Sequence, residues 1–340
     1  MDYLIDADGL ERAVGSRPLP ALLKSIDHLD RHCETLLARS AVAVVGYTDR
    51  RGGRRAAVIG GGPGFSAGES DQRLGLPVPA DAAPDASVST LFLLPGWRET
   101  LRINGRLDPR RPETLLVDEA FLHCGKAVIR SGLWDEPAPR PEPVRDAGEP
   151  PLDAAVRGFL SSSPFVVLTS QDGVGNADAS PKGDPPGFVQ VIDDATLAIP
   201  DRRGNRRTDT FHNLIEVPEL ALLALVPGDD RVLELVGTAR VTADASLRAA
   251  MAVDGRAPHG ALVLDVRTAR LTSCPAISAA RLWDPASHVR VDDLPKAGQI
   301  WSDHVKANKT GGLKATAIRS AVNGSLVQAG VEMDYERHLY

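Results

Sequence analysis

The 340-residue chain contains only three cysteines, and no two of them form a Cys-x-x-Cys pair. A disulfide framework is therefore excluded, and the reducing cytoplasm is the simplest location for such a protein. The His-Glu-x-x-His, Walker A and Gly-x-Ser-x-Gly patterns are also missing. Because these patterns carry the common zinc, P-loop and serine hydrolase sites, we predict no metal site and neither of the other two chemistries.

Long hydrophobic runs and an excess of basic charge are missing as well. No apolar run reaches the length that crosses a membrane, and the first residues show no signal-peptide pattern. The net charge of −6 argues against nucleic acid as the main partner, since phosphate backbones need a basic face. We therefore expect a protein that acts on a small-molecule substrate and has no membrane or nucleic-acid partner.

The chain does contain an internal repeat, the feature that most constrains its fold. Four anchors match in order, and the distance between matching residues grows from 123 to 132 and then to 150 residues. The matches are Pro63-Gly64-Phe65 with Pro186-Gly187-Phe188, Leu93–Gly96 with Leu225–Gly228, Gly105 with Gly237, and Cys124 with Cys274. The first copy has therefore lost about nine and then about eighteen residues relative to the second.

Many short strands separated by turn signals, with few helices, favour small antiparallel barrels. We therefore predict a mainly β chain with peripheral helices and two tandem barrels. The predicted segments are a helical segment over residues 1–40, barrel 1 over 41–134, a charged Pro-rich linker over 135–154, barrel 2 over 155–289 and a tail over 290–340. The tail has little apolar periodicity, so we expect it to wrap the surface as an extended segment.

The two copies have kept different polar residues. Lys126 and Arg130 of the first copy correspond to alanines in the second. Conversely, the basic segment at 204–207 corresponds to residues 77–85, which contain no basic side chain. This pattern predicts one composite site that is assembled from both halves of the chain. The opposite interface, between residues 77–85 and 273–281, should be empty.

Asn205, Arg206 and Arg207 precede a predicted helix over residues 208–217. Free backbone N–H groups and partial positive charge at a helix start, with two guanidiniums beside them, suit a phosphate. The alternative is a solvated Arg-rich turn. Ser180 and Lys182 are further candidates for ligand contact, because their counterparts in the first copy are apolar. An exposed strand edge with ordinary charges is the alternative for those two residues.

His123, Lys126 and Arg130 are spaced i, i+3 and i+7, so they would share one face of a helix. Such a basic stripe suits a phosphate, a flavin ring edge or a carboxylate substrate, although it would also suit a solvated face. His123 is the best candidate for a general base because of its ordinary pKa. Trp134 either belongs to the core or borders the cofactor.

These motifs resemble the pyridoxamine 5′-phosphate oxidase-like superfamily of FMN-binding split β-barrels, in particular a bacterial FMN-dependent branch. The resembling stretches are Ser180–Phe188, Thr196–Pro200, Gly204–Arg207, Leu223–Gly228, His123–Trp134 and the C-terminal Asp334–Tyr340. The resemblance implies FMN at a dimer interface, which here would be the interface of an intramolecular pseudo-dimer, a chain able to act as a monomer.

By the same resemblance, Asn205, Arg206 and Arg207 would hold the FMN phosphate, and Ser180 and Lys182 would lie near the ribityl chain or the ring. The residues arriving from the other barrel would be His123, Lys126, Arg130 and Trp134. Replacing Arg206 and Arg207 should weaken cofactor binding, whereas replacing Arg54 and Arg55 in the first copy should do little.

The function predicted on this basis is an FMN-dependent oxidoreductase that acts on a small molecule. A haem-binding enzyme on the same scaffold is one alternative, for which His123, His212 or His259 could supply the axial ligand. A pseudo-dimer that binds a cofactor without catalysis is another. The sequence does not distinguish these possibilities, since a fold does not fix a function.

Overall fold

The N-terminal segment forms three short helices rather than one long helix. The computed structural model describes residues 2–137, 151–204 and 206–340. The first elements are β1 (Tyr3–Leu4), α1 (Ala7–Val14), α2 (Leu19–Leu23) and α3 (Arg31–Leu37). Helix α1 ends because Gly15 adopts a φ of 87°, a conformation that glycine tolerates. Asp30 then starts α3 by accepting a hydrogen bond from the Cys33 N–H.

Barrel 1 is a seven-stranded antiparallel sheet followed by a short helix. Its elements are β2 (Val42–Thr48), β3 (Arg54–Gly60), β4 (Ala67–Ser70), β5 (Arg73–Gly75), β6 (Ser87–Leu93), β7 (Thr100–Asp108), β8 (Arg111–His123) and α4 (Lys126–Ser131). The strand order across the sheet is β3-β2-β6-β7-β8-β5-β4.

Barrel 2 repeats this plan with two added helices. Its elements are α5 (Ala154–Ser162), β9 (Phe165–Gln171), β10 (Ala177–Gly183), β11 (Gln190–Val191), β12 (Thr196–Pro200), α6 (Asp209–Glu216), β13 (Glu219–Leu225), β14 (Arg231–Thr242), α7 (Ala245–Ala250), β15 (Ala261–Ser273) and α8 (Pro275–Ala280). The order β10-β9-β13-β14-β15-β12-β11 is that of barrel 1, and β1 adds to β14. The chain is thus two tandem split barrels, and α6 and α7 lie at the two predicted length differences.

The repeat extends to individual residues. Gly105 and Gly237 both sit at a β-bulge, where an added Cβ would lie about 2 Å from a backbone oxygen of the neighbouring strand. Gly46 of β2 and Thr169 of β9 occupy equivalent positions and contact each other, since a Cβ on Gly46 would lie 2.4 Å from the Thr169 Cβ. Equivalent residues meet only near a two-fold axis, so the barrels form an intramolecular pseudo-dimer.

The two barrels share a hydrophobic junction. Strand β2 is buried on both faces: Ala43 and Val45 pack inside barrel 1, whereas Val42 and Val44 pack against barrel 2. The equivalent strand β9 does the same, and this explains why both strands are continuous apolar runs. Each barrel therefore has its own core, and a third cluster joins them.

The expectation of an extended tail is wrong. Residues 290–340 contain one 3₁₀ turn (Val291–Asp293) and three helices: α9 (Ala297–Ala307), α10 (Leu313–Ala321) and α11 (Gly324–Arg337). Helices α9 and α11 approach closely, because a Cβ on Gly298 would lie 2.4 Å from the Gln328 nitrogen. No helix in the described part of the chain is long and apolar enough to cross a membrane. Most of the predicted linker, residues 138–150, lies outside the described residues.

Candidate functional site

A cavity of about 340 Å³ lies at the junction of the two barrels. It is bounded by α4 of barrel 1 and by β10, the loop after β12 and the start of α6 in barrel 2. Its lining includes seven of the predicted site residues: His123, Lys126, Arg130, Ser180, Lys182, Arg206 and Arg207. Residues that are far apart in sequence and belong to different barrels are thus brought to one cavity. Asn205, another predicted site residue, lies outside the described residues.

The cavity is basic although the chain is acidic. Eight arginine and lysine side chains line it, against three aspartates, in a chain with a net charge of −6. The basic residues are Arg102, Lys126, Arg130, Lys182, Arg202, Arg203, Arg206 and Arg207. The excess of cations over carboxylates in this lining produces a positive potential that attracts anions. The volume is within the range of small-molecule sites.

Close backbone contact places α4 over β10. A Cβ on Gly183, the last residue of β10, would lie 2.0 Å from the Ala127 oxygen in α4. Only glycine allows this approach. Arg130 strengthens the contact, because its Nε donates to the Gly183 oxygen at 2.9 Å. The basic helix α4 of barrel 1 therefore lies against the edge of barrel 2.

The loop before α6 carries unusual backbone geometry. Arg206 and Thr208 both have a φ of 53°, in the left-handed region that non-glycine residues rarely adopt. Strain of this kind collects at ligand-binding segments. Arg206 is exposed, and it has no hydrogen-bond or ion-pair partner among the described residues. The loop thus presents the Arg206 guanidinium at the cavity wall without a partner among the described residues, beside the start of a helix.

Arg207, by contrast, is committed to protein partners. Its guanidinium donates to the Glu119 carboxylate of barrel 1 at 2.6 Å, to Asp209 at 2.7 Å and to the Ser25 hydroxyl at 2.6 Å. Burial alone would raise the pKa of Glu119, but Arg207 and then Arg102 hold it below the ordinary value. Arg207 therefore links the barrels, and its partners leave it less able than Arg206 to hold an anion.

Two further cations of barrel 2, Lys182 and Arg202, are paired, whereas the exposed Arg203 guanidinium has no partner among the described residues. Lys182 lies 3.2 Å from the Asp201 carboxylate and 5.0 Å from the centre of the Phe211 ring. Arg202 donates to the buried Asp184 at 2.6 Å. These pairs hold the side chains at the wall of the cavity, where Ser180 also lies.

His123 is buried at the end of β8, and its Nδ1 has no hydrogen-bond partner among the residues described. Burial, followed by the charges of Arg102, Lys24 and Arg207, holds the pKa of His123 well below its usual value. The imidazole is therefore neutral at physiological pH and a weak base. The expectation that an ordinary pKa suits His123 to general-base catalysis is wrong, because burial and the nearby cations lower its pKa.

Lys126 and Arg130 are held by the C-terminal residues. The Lys126 ammonium lies 2.8 Å from the Asp334 carboxylate and donates to the His338 oxygen at 2.9 Å. Arg130 donates to the Leu339 oxygen at 2.8 Å and to the Arg203 oxygen at 3.0 Å. Both cations therefore bind protein groups at the edge of the cavity.

Trp134 lies outside this cavity. Its ring centre is 6.0 Å from that of Trp283, and its Nε1 donates to the Trp97 oxygen. The equivalent Trp283 donates in the same way to the oxygen of Asp229, the counterpart of Trp97. Since both copies make the same bond, this pair is part of the pseudo-symmetric architecture. Of its two expected roles, Trp134 therefore fits the core, because it packs against the hydrophobic cluster at the junction and does not line this cavity.

That replacing Arg54 and Arg55 does little to cofactor binding stays a prediction, but the structure gives both arginines a structural role. Arg54 is almost fully buried and donates to Gln171 of barrel 2 at 3.2 Å. Arg55 makes two bonds of 2.8 Å to the Glu234 carboxylate of barrel 2. These arginines join the two barrels, so their replacement would disturb the junction.

Arg102 and Asp178 are cavity residues that the sequence analysis missed. They form a buried ion pair between β7 and β10, and Thr210 donates to the same carboxylate at 2.5 Å. Burial lowers the pKa of Arg102 to about 10, with Arg207 adding to the effect. The repeat contained a signal for this ion pair. It aligns Arg102 with Glu234 and Asp178 with Arg55, so the sign of the charge is exchanged at both positions.

The opposite interface differs in character. The positions equivalent to Lys126 and Arg130 are Ala276 and Ala280, and both belong to the hydrophobic cluster at the junction. Ile277 of the same helix is fully buried there. The face of α8 that corresponds to the cationic face of α4 is thus filled by apolar packing.

Residues 152–274 match the family described as pyridoxamine 5′-phosphate oxidase. No curated protein matches the chain in sequence.

Similar solved structures include HupZ from Group A Streptococcus, with 13% identity, a TM-score of 0.29, and coverage of 34% of this chain and 89% of that one. General stress protein 26 of Bacillus anthracis shows 13% identity and a TM-score of 0.28, covering 34% and 88%. A heme binding protein of Mycobacterium smegmatis shows 17% identity and a TM-score of 0.23, covering 36% and 57%. Likenesses this weak carry no argument about activity.

Proposed function

Since the C-terminal barrel belongs to the pyridoxamine 5′-phosphate oxidase-like superfamily, we propose that the chain binds one FMN between its barrels and uses it in an oxidoreductase reaction on a small molecule. The observation that carries this proposal is the basic cavity, whose cations come from both barrels in an acidic chain. A phosphorylated cofactor is the class of ligand that such a wall would recognise.

The residues present fit the phosphate end of FMN. Arg206 offers a guanidinium without a protein partner among the described residues, and the neighbouring α6 begins at Asp209 with its first turn on the cavity wall. Helix starts and arginines are the groups that most often bind phosphate. Lys182 adds a positive charge whose aspartate partner lies 3.2 Å away.

FMN, when bound, supplies the redox chemistry, and the protein supplies binding, orientation and electrostatics. His123 would take part as a neutral imidazole that exchanges a hydrogen bond, because its depressed pKa disfavours a charged form. Lys126 would contribute positive charge, which favours an anionic form of a ligand nearby. Arg130 acts as a positioning residue, since its bonds tie α4 to the oxygens of Gly183 and Arg203.

The proposal is tested by the absorption spectrum of the purified protein and by titration of the protein with FMN. We expect flavin absorption bands and one FMN per chain. Arg206→Ala should weaken FMN binding by about tenfold or more, the cost of losing a charged hydrogen bond. Arg267→Ala, on an exposed position of β15, is the matched control and should bind FMN like the unaltered protein. No FMN binding, or equal weakening by both replacements, would contradict the proposal.

A haem on the same scaffold is the second candidate, and the unpartnered Nδ1 of neutral His123 is the observation that favours it. His259 also lines the cavity, whereas His212 does not and bonds to the Thr208 oxygen. A Soret band that is lost in His123→Ala and retained in His212→Ala would select haem over FMN. A protein that binds FMN but shows no turnover with electron donors and acceptors would be a non-catalytic binder.

A further inference from the structure

A second cavity, of about 380 Å³, lies outside both sheets. It is enclosed by α2 and the C-terminal helices α9, α10 and α11, which are additions to the two-barrel plan. The side chains that line it are mainly apolar: Pro18, Pro20, Ala21, Trp301, Val305, Ile318, Val322, Val327 and Val331. The apolar lining and the volume are those of a site for a small organic molecule.

One lysine on this wall is buried without a hydrogen-bond acceptor among the described residues. Lys24 is only 6% exposed, and its ammonium lies 5.4 Å from the centre of the Phe121 ring and 5.1 Å from that of Trp301. No carboxylate or carbonyl in the described part of the chain accepts a hydrogen bond from it. Burial lowers the pKa of Lys24 to about 8, so the unpaired charge has a real cost.

The other polar groups on the wall are already bonded. Tyr335 accepts a hydrogen bond from the Gly125 N–H at 2.7 Å and donates to Glu99. Asp334 pairs with Lys126, which belongs to the first cavity. Among the described residues of this wall, Lys24 is therefore available to bind a polar part of a ligand. Its ammonium would bind one anionic group or one strong hydrogen-bond acceptor of that ligand.

We propose that this cavity binds an amphiphilic carboxylate, whose apolar body packs against Trp301, Val305 and Ile318 and whose carboxylate binds Lys24. Such a ligand satisfies the lysine and fills the apolar space at once. Cys124 lines both cavities, so the carboxylate end would lie next to the first one. The inference goes beyond FMN binding and does not depend on it.

Octanoate is a suitable probe, with octan-1-ol as its uncharged analogue, and both are titrated into the full chain at pH 7 by calorimetry. Lys24→Met keeps the apolar stem and removes the charge. We expect it to weaken octanoate binding by about tenfold or more and to change octan-1-ol binding little. Lys306→Met, on an exposed position of α9, is the matched control and should leave octanoate binding unchanged.

A second variant closes the cavity without relying on charge. Gly330 of α11 lines the cavity, and a Cβ there would meet no heavy atom within 4 Å. Gly330→Leu should therefore fold normally and lose binding of both probes, while Ala329→Leu, outside the lining on the same helix, should retain both. Octanoate binding that survives both Lys24→Met and Gly330→Leu would overturn the proposal, as would the absence of octanoate binding to the unaltered protein.

Discussion

Arg102 of barrel 1 donates a hydrogen bond to Asp178 of barrel 2 across the junction between them. The repeat places Glu234 and Arg55 at the equivalent positions, and these two residues form an ion pair of 2.8 Å with the charges exchanged. Two copies of barrel 1 joined in the same way would oppose Arg102 to Arg55, and two copies of barrel 2 would oppose Glu234 to Asp178. The exchanged charges therefore favour pairing of unlike barrels over pairing of like barrels.

The first prediction concerns the buried Arg102–Asp178 pair. Arg102→Met should destabilise the protein by about 3–5 kcal/mol, because the buried Asp178 carboxylate would lose its cation. The double variant Arg102→Met/Asp178→Leu should recover much of that loss. Urea unfolding followed by circular dichroism measures both. A single variant as stable as the unaltered protein would show that the pair does not hold the junction.

Arg206 and Arg207 should separate into different roles, which is the second prediction. Arg207→Ala leaves Glu119 and Asp209 without their shared partner, so stability should fall by about 1–3 kcal/mol. Arg206→Ala should leave the unfolding transition unchanged, because Arg206 is exposed and holds no protein partner in the described residues. The measurement is thermal unfolding in the absence of added ligand. Equal losses in both variants would contradict the assignment.

His123 gives the third prediction, a dependence of stability on pH. Its pKa is well below the ordinary value in the folded protein, whereas the unfolded chain takes up a proton near pH 6.5. Above pH 6.5 His123 is neutral in the folded and the unfolded protein, so its contribution to stability is fully present. Below pH 6.5 the unfolded chain binds the proton more readily, and the free energy of unfolding falls by up to about 1.4 kcal/mol per pH unit.

His123→Gln removes the titrating group and retains a side chain that can hydrogen-bond. The difference in unfolding free energy between this variant and the unaltered protein should shift in favour of the variant between pH 6.5 and pH 5. His28→Gln, at a half-buried position outside the cavity, is the control and should show a smaller shift. A difference that is constant with pH would mean that His123 takes up a proton in the folded protein.

The repeat comparison explains what could be predicted from the sequence. The shared plan of the two barrels and the convergence of Lys126 and Arg206 on one cavity follow from matching two copies and asking which polar residues each has lost. For Trp134 the sequence left both a core role and a cofactor contact open, and the structure shows that Trp134 and its counterpart Trp283 make the same bond to a backbone oxygen. Residues kept in both copies, including the two tryptophans, serve the shared architecture.

Other features depend on contacts that a local pattern does not contain. Arg207 is committed because Glu119 arrives from the other barrel, 88 residues away. Helix α11 has few buried residues, Val331 and Tyr335, so its apolar periodicity is weak. Its position is set by the close approach of Gly298 to Gln328, which only the folded chain reveals.

The last prediction tests whether the exchanged charges select the pairing of unlike barrels. Arg55→Glu/Glu234→Arg preserves an attractive pair within the chain, at a position away from the basic cavity. It also makes like barrels complementary, since Arg102 would then face Glu at position 55, and Arg at position 234 would face Asp178. We therefore expect this variant to form larger, concentration-dependent assemblies by exchange of barrels between chains, as light scattering after gel filtration would measure.

Loss of the original pair could loosen the junction by itself, because Arg55 also lies 3.4 Å from Asp81 and the Ala56 N–H donates to Glu234. Arg55→Ala/Glu234→Ala loosens the junction equally but gives like barrels no new attraction, since the opposed Arg102 and Asp178 gain no partner. This control should keep the particle mass of the unaltered protein. If both double variants assemble to the same extent, a weakened junction is sufficient and charge selection is rejected; if only the exchanged variant assembles, the charges determine which barrels pair.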